Sequence, residues 1–140
     1  MNNWLTWALC SAFFAGLTAV LAKVGVEGIN SNLATAIRTT VILLFTWALA
    51  AYSASPISFE NISRRTWLFL VLSGLATGLS WICYFRALQL GQASQVAPID
   101  KLSILFVIAL AAIFLGERIT WHHWVGGLLI VAGAVVLTWR

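Results

Sequence analysis

The sequence predicts an all-α membrane protein, a five-transmembrane-helix bundle, and three observations carry that prediction. Hydrophobic residues make up 61% of the 140 positions and charged residues only 9%, against about a quarter charged in soluble domains. The mean hydropathy is +0.96. The apolar residues fall into five stretches of the length needed to cross a hydrocarbon core of about 30 Å. A lipid-exposed sheet is excluded, because open strand edges cannot be satisfied in hydrocarbon.

The predicted spans are 4–23, 33–52, 66–86, 94–115 and 121–140, within one transmembrane domain covering 1–140. The first begins after Met1-Asn2-Asn3, without the positive n-region of a cleavable signal. Its apolar run also exceeds h-region length, so it reads as a membrane helix. The second carries Arg38 about six residues in, ~9 Å along a helix rising 1.5 Å per residue. The third ends near Trp81 and Tyr84. The fourth is opened by Pro98, Asp100 and Lys101, and the fifth begins after Gly116 to Thr120. The breaks 25–32, 53–65, 87–93 and 116–120 are short enough to make consecutive helices antiparallel neighbours in one bundle.

Small residues recur at four-residue spacing, Ala8, Ala12 and Gly16 in the first span and Gly74 and Gly78 in the third, while in the fifth Gly126 and Ala134 flank Ile130 on one face beside Gly127 and Gly133. In lipid this spacing serves close helix packing. Trp4, Trp7, Trp67, Trp121, Trp124 and Trp139 fall near span ends, where amphipathic rings settle at the headgroups. Trp47 and Trp81 lie deeper.

Composition also excludes functions. The net charge of +4 comes from Lys and Arg spread along the chain without a run or stripe, so nucleic acid is not an expected partner. Cys10 and Cys83 sit in apolar segments as small hydrophobes. Consecutive His122 and His123 point to different faces and make a poor chelate. No catalytic triad, phosphate-binding loop or metal-ligand cluster is present, so the expectation is no enzyme, no cofactor and no metal. Glu117 reads as a helix-end charge.

An odd span count leaves the termini on opposite sides. Counting positive charges gives Arg64, Arg65 and Arg118 on one side and Lys23, Arg86 and Arg140 on the other, a balance with no orientation signal. Two copies inserted in opposite directions would form an antiparallel homodimer of dual topology, half of an inverted-repeat ten-helix assembly contributed by each chain.

Charges at membrane depth are costly and are kept where they act. Asp100 and Lys101 follow Pro98, which cannot donate a backbone hydrogen bond and disfavours helical geometry at Ala97. Pro98 is therefore the expected hinge, beside a cavity. A span that starts at Pro98 would instead make Asp100 an ordinary first-turn acid, and Arg38 could snorkel to the headgroups. Neighbouring residues on a helix point about 100° apart, so Asp100 and Lys101 do not both face one partner squarely, and Asp100 is expected to pair with Arg38 or with a group on the other protomer. The candidate substrate- or ion-binding residues are Arg38, Asp100, Lys101, Trp81 and Tyr84. Their charge balance favours an anionic or zwitterionic small molecule, with Asp100 as the site of any proton coupling.

The run Tyr84-Phe-Arg-Ala-Leu-Gln-Leu-Gly-Gln-Ala-Ser, then Val96-Ala-Pro98, Phe114-Leu-Gly-Glu117-Arg-Ile-Thr and Gly126-Gly127 to Gly133, resembles the EamA domain of the drug/metabolite transporter superfamily. The resemblance covers essentially the whole chain. It implies transport, commonly export, of small metabolites such as amino acids, sugars or amphipathic compounds across a bacterial inner membrane. It also implies a single five-helix repeat where most such proteins carry two. Related small multidrug-resistance proteins use a first-span glutamate, and the run from Trp4 to Val24 contains no acid. The other expected role is a non-transporting membrane subunit that pairs with a paralogue.

Overall fold

A computed structural model describes residues 4–53 and 62–139. Arg140 and most of the expected 53–65 break lie outside the described residues. Among the described residues there are five apolar helical spans: α1 (Trp4–Gly25), α2 (Ser31–Tyr52), α3 (Arg64–Leu90), a fourth span Ala93–Leu115, and α6 (Trp121–Thr138). The fourth is composite, built from α4 (Ala93–Asp100), α5 (Ser103–Leu110) and a π-helical turn, Ala111–Leu115. The all-α five-span architecture read from composition is therefore the one observed.

Helix ends differ from the expected ones where helix-forming residues carry the chain past its apolar stretch. α3 continues through Ala87, Leu88, Gln89 and Leu90, all of them among the stronger helix formers. The 87–93 break shrinks accordingly to residues 91 and 92. Polar residues set the starts. Asn30 Oδ1 accepts from the Asn32 amide at 2.8 Å, and Ser63 Oγ accepts from that of Thr66 at 3.1 Å. At α6, His123 Nδ1 accepts from the Thr120 amide at 3.1 Å, satisfying an otherwise orphaned group at the helix entrance. His122 instead stacks on Trp121, with ring centroids 3.9 Å apart.

The fourth span is irregular just beyond the expected hinge, Pro98. Helical geometry persists through Ala97 and Pro98 to Asp100, because the φ that the pyrrolidine ring imposes is itself helical; the ring costs only the bond to the Ser94 carbonyl. The irregular turn comes afterwards. Lys101 bonds to Pro98 O, Leu102 to Ile99 O, Ile104 to Lys101 O and Leu105 to Leu102 O, all at 3.0–3.1 Å. These three-residue closures are the tight 3₁₀ pattern that marks bends inside helices. The span then loosens into its π turn and stops at Gly116, whose φ of 65° is left-handed. The Glu117 amide closes back on Ala111 O at 3.2 Å. A side chain in that conformation is strained by about 1–2 kcal/mol. Gly116→Val is therefore expected to destabilise the protein by about that amount, measured by thermal unfolding in detergent.

By its internal contacts the chain forms two compact units, residues 25–89 and residues 1–24 with 90–140. In the first, the buried residues are Val26, Ser31, Ala34, Thr35, Phe85 and Leu88. They come from the 26–30 connector, the start of α2 and the last turns of α3. On α2, Ser31, Ala34, Thr35 and Arg38 recur at helical spacing and define one face. Thr35 and Thr39 return their hydroxyl hydrogens to the carbonyls four residues back, each at 2.8 Å, which lets polar side chains sit in an apolar helix.

In the second unit α4 and α5 pack on α6. Gly127 is buried, and a β-carbon there would meet Leu105 Cδ2 at 2.8 Å and Ile108 Cδ1 at 3.5 Å. Here the expected packing role of a small residue is met. Gly16, Gly74, Gly78, Gly126 and Gly133 differ, for the space over each is open within this chain.

Candidate functional site

Arg38 sits seven residues beyond the start of α2, ~10 Å along the helix. Its guanidinium carbon lies 4.6 Å from the centroid of the Trp81 ring and 5.4 Å from that of Phe85. Both distances fall within the range of cation–π attraction. Trp81 and Phe85 are four residues apart on α3 and so share a face. The side chain is thus held among protein groups rather than extended to the headgroups. An arginine lying on aromatic rings keeps in-plane N–H donors at its edge, where they can meet a carboxylate or phosphate.

Tyr84 is half-buried and close enough to interact electrostatically with Arg38. Its ring meets that of Phe85 edge to face, with centroids 6.5 Å apart. Of the candidates named from sequence, Arg38, Trp81 and Tyr84 therefore belong to one cluster in the 25–89 unit. Phe85 is a member of the cluster that sequence reasoning missed, and its i+4 relation to Trp81 is the signal that would have included it.

Asp100 and Lys101 belong to the other unit. Lys101 Nζ lies 3.4 Å from Asp100 Oδ2. The flexible four-carbon lysine stem swings its ammonium back, and the chain leaves α geometry at this point. The pair is long for a charge-assisted hydrogen bond, which is typically about 2.7–2.9 Å. It is also open, with side chains 62% exposed for Lys101 and 38% for Asp100. Both residues lie roughly a third of the way into the span Ala93–Leu115, ~10 Å from its start.

An apolar groove of about 400 Å³ runs beside them, between Ala97, Pro98 and Lys101 on one wall and Ile130, Gly133, Ala134 and Leu137 on the other. Gly133 widens it by lacking a side chain. Elsewhere in this unit Lys23 Nζ donates to Gly91 O at 3.0 Å. Cys10 and Cys83 are exposed free thiols. Among the described residues no group of His, Cys, Asp and Glu is placed to hold a metal.

Five long apolar helices, with basic residues held at depth in two of them, define a multi-pass membrane protein. The chain matches the EamA-like transporter family over residues 2–139. It belongs to that family. It is 55% identical over 136 residues to an "uncharacterized transporter in cobO 3'region" of Sinorhizobium sp., covering 97% of this chain and 96% of the relative. It is also 28% identical over 93 residues to the "probable 4-amino-4-deoxy-L-arabinose-phosphoundecaprenol flippase subunit ArnE" of Pseudomonas fluorescens, covering 66% of this chain and 79% of that protein. A "probable terminal-alkyne amino-acid exporter" of Streptantibioticus cattleyicolor is 31% identical over 137 residues, covering 95% of this chain but 41% of the exporter. No solved structure matches the chain.

Proposed function

We propose that this protein is a secondary transporter that exports a small anionic or zwitterionic, amino-acid-like metabolite, and that it works in a bacterial inner membrane as an antiparallel homodimer. The observation that carries the reading is the open ion pair at membrane depth. Intramembrane charges face protein or a water-filled cavity rather than lipid, and their own chain leaves Lys101 largely and Asp100 partly uncovered. A second copy supplies the missing wall. The coverage of 41% of the exporter against 96% of the Sinorhizobium relative supports residues 1–140 acting as one domain and one half of a working unit.

The donor edge of Arg38 receives the anionic group of the substrate, while Trp81, Tyr84 and Phe85 shape the wall beside it. Asp100 carries the coupled proton, Lys101 balances it, and the turn after Pro98 supplies local mobility. No bond is made or broken in this cycle, and no cofactor is assigned.

A subunit role with a paralogous partner is the second reading, favoured by the word "subunit" in the name of the ArnE relative. Uptake from a labelled metabolite mixture into proteoliposomes, with Asp100→Asn measured in parallel, separates the two. A self-sufficient transporter takes up its substrate and loses at least about tenfold of that flux on substitution, the value of one interaction of about 1.4 kcal/mol. Absence of uptake from well-folded protein favours the subunit reading.

A further inference from the structure

Among the described residues, the two large side chains that are fully buried, Val26 and Leu88, are not at mid-membrane. Both lie where the connector 26–30 meets the last turns of α3. Gln89 there uses both ends of its amide. Its Nε2 donates to the carbonyl oxygens of Val26 at 3.1 Å and Ile29 at 2.6 Å, while its Oε1 accepts from Arg86 Nη1 at 3.1 Å. A carboxamide supplies donors and an acceptor together; a carboxylate lacks the donors, and a lysine or arginine lacks the acceptor.

This knot is continuous with the Arg38 cradle. Trp81, Phe85 and Gln89 recur every four residues along α3, so one face of the helix leads from the cradle to the knot. On α2 the residues between Arg38 and the connector, Ser31, Ala34 and Thr35, are buried. The α2 face between Arg38 and this edge of the membrane is therefore packed, and beyond it the Gln89 amide ties the short connector to α3.

We propose that Gln89 is the latch of a gate: it holds connector 26–30 over the Arg38 cradle, and release of its two carbonyl bonds opens the cradle at this end. The inference rests on the transport reading above. Alternating access requires one end to shut while the other admits substrate. Neutral hydrogen bonds, each of modest net strength, both hold such a gate and let it go. Gln89 touches no substrate in this scheme and is a positioning residue.

The test uses the full-length protein in proteoliposomes with Cys10→Ser and Cys83→Ser, and Thr35→Cys as reporter beneath the connector. A charged maleimide supplied on both sides measures its access. Gln89→Glu is close to isosteric and keeps the acceptor for Arg86, but turns an anion toward both carbonyls. Labelling is expected to rise about tenfold or more, the effect of two lost hydrogen bonds on an opening equilibrium. An unchanged labelling rate in folded protein overturns the proposal.

Should Gln89→Glu fail to fold, Gln89→Ala removes the same two carbonyl bonds without adding a charge. Labelling of Thr35→Cys is again expected to rise about tenfold, whereas an unchanged rate in folded protein overturns the latch. Labelling needs no transported substrate. A blank uptake screen with faster labelling in Gln89→Glu therefore counts against transport, while normal uptake with unchanged labelling counts against the latch.

Discussion

Arg38→Gln is expected to abolish uptake, with a loss of about a hundredfold or more. Glutamine keeps a hydrogen-bonding end but removes the charge, and truncating one member of a desolvated, hydrogen-bonded charge pair costs about 2–5 kcal/mol, where 1.4 kcal/mol is tenfold. Arg38→Lys is the informative companion. It retains the charge but not the planar guanidinium that lies 4.6 Å from Trp81 and 5.4 Å from Phe85. Its uptake is expected to fall roughly tenfold, because cation–π contacts of this kind contribute about 0.5–2 kcal/mol. Uptake measured beside thermal stability distinguishes lost binding from lost fold. Full uptake by Arg38→Gln would reduce Arg38 to a membrane anchor.

The second large effect concerns packing. Gly127→Leu is expected to destabilise the protein by about 3 kcal/mol or to prevent its accumulation, because the first added carbon already meets Leu105 Cδ2 at 2.8 Å and overpacking of a tight contact costs about 1–3 kcal/mol or more. Gly126→Leu, one residue earlier, enters space that is open within the chain. It should leave the thermal stability of the isolated protomer nearly unchanged. Lower dimer content in Gly126→Leu than in the wild type, at unchanged protomer stability, would show that the Gly126 face is covered by a second copy. Size-exclusion chromatography alongside thermal unfolding reads both quantities.

Much of this fold was legible because membranes impose a simple rule: a span is long, apolar and helical, and the five stretches met that rule. Helix ends were less legible, since residues such as Gln89 and Leu90 are polar or terminal in pattern yet sustain α3. At the site, Arg38 and Trp81 could be singled out individually because charges and aromatic residues at depth are conspicuous. Their contact could not, because it depends on how α2 and α3 are rotated about their own axes. The role of Gln89 was invisible for a different reason: its partners are backbone carbonyls, which every residue possesses. Pro98 marked the right neighbourhood, but the irregular turn fell at Lys101 and Leu102, where the hydrogen-bond pattern rather than the ring decides the geometry.

The concentration of buried side chains at one end of the 25–89 unit has a mechanical consequence. α2 is 22 residues long, a rod of ~33 Å, and its buried residues among those described, Ser31, Ala34 and Thr35, lie in its first two turns. A rod packed most tightly at one end tilts about that end. A tilt of about 10° there displaces the Tyr52 end by ~6 Å, as helix rise and length dictate, while atoms beside Ser31 move by a small fraction of that distance. A small adjustment beside the connector would thereby be amplified toward the Tyr52 end of the helix.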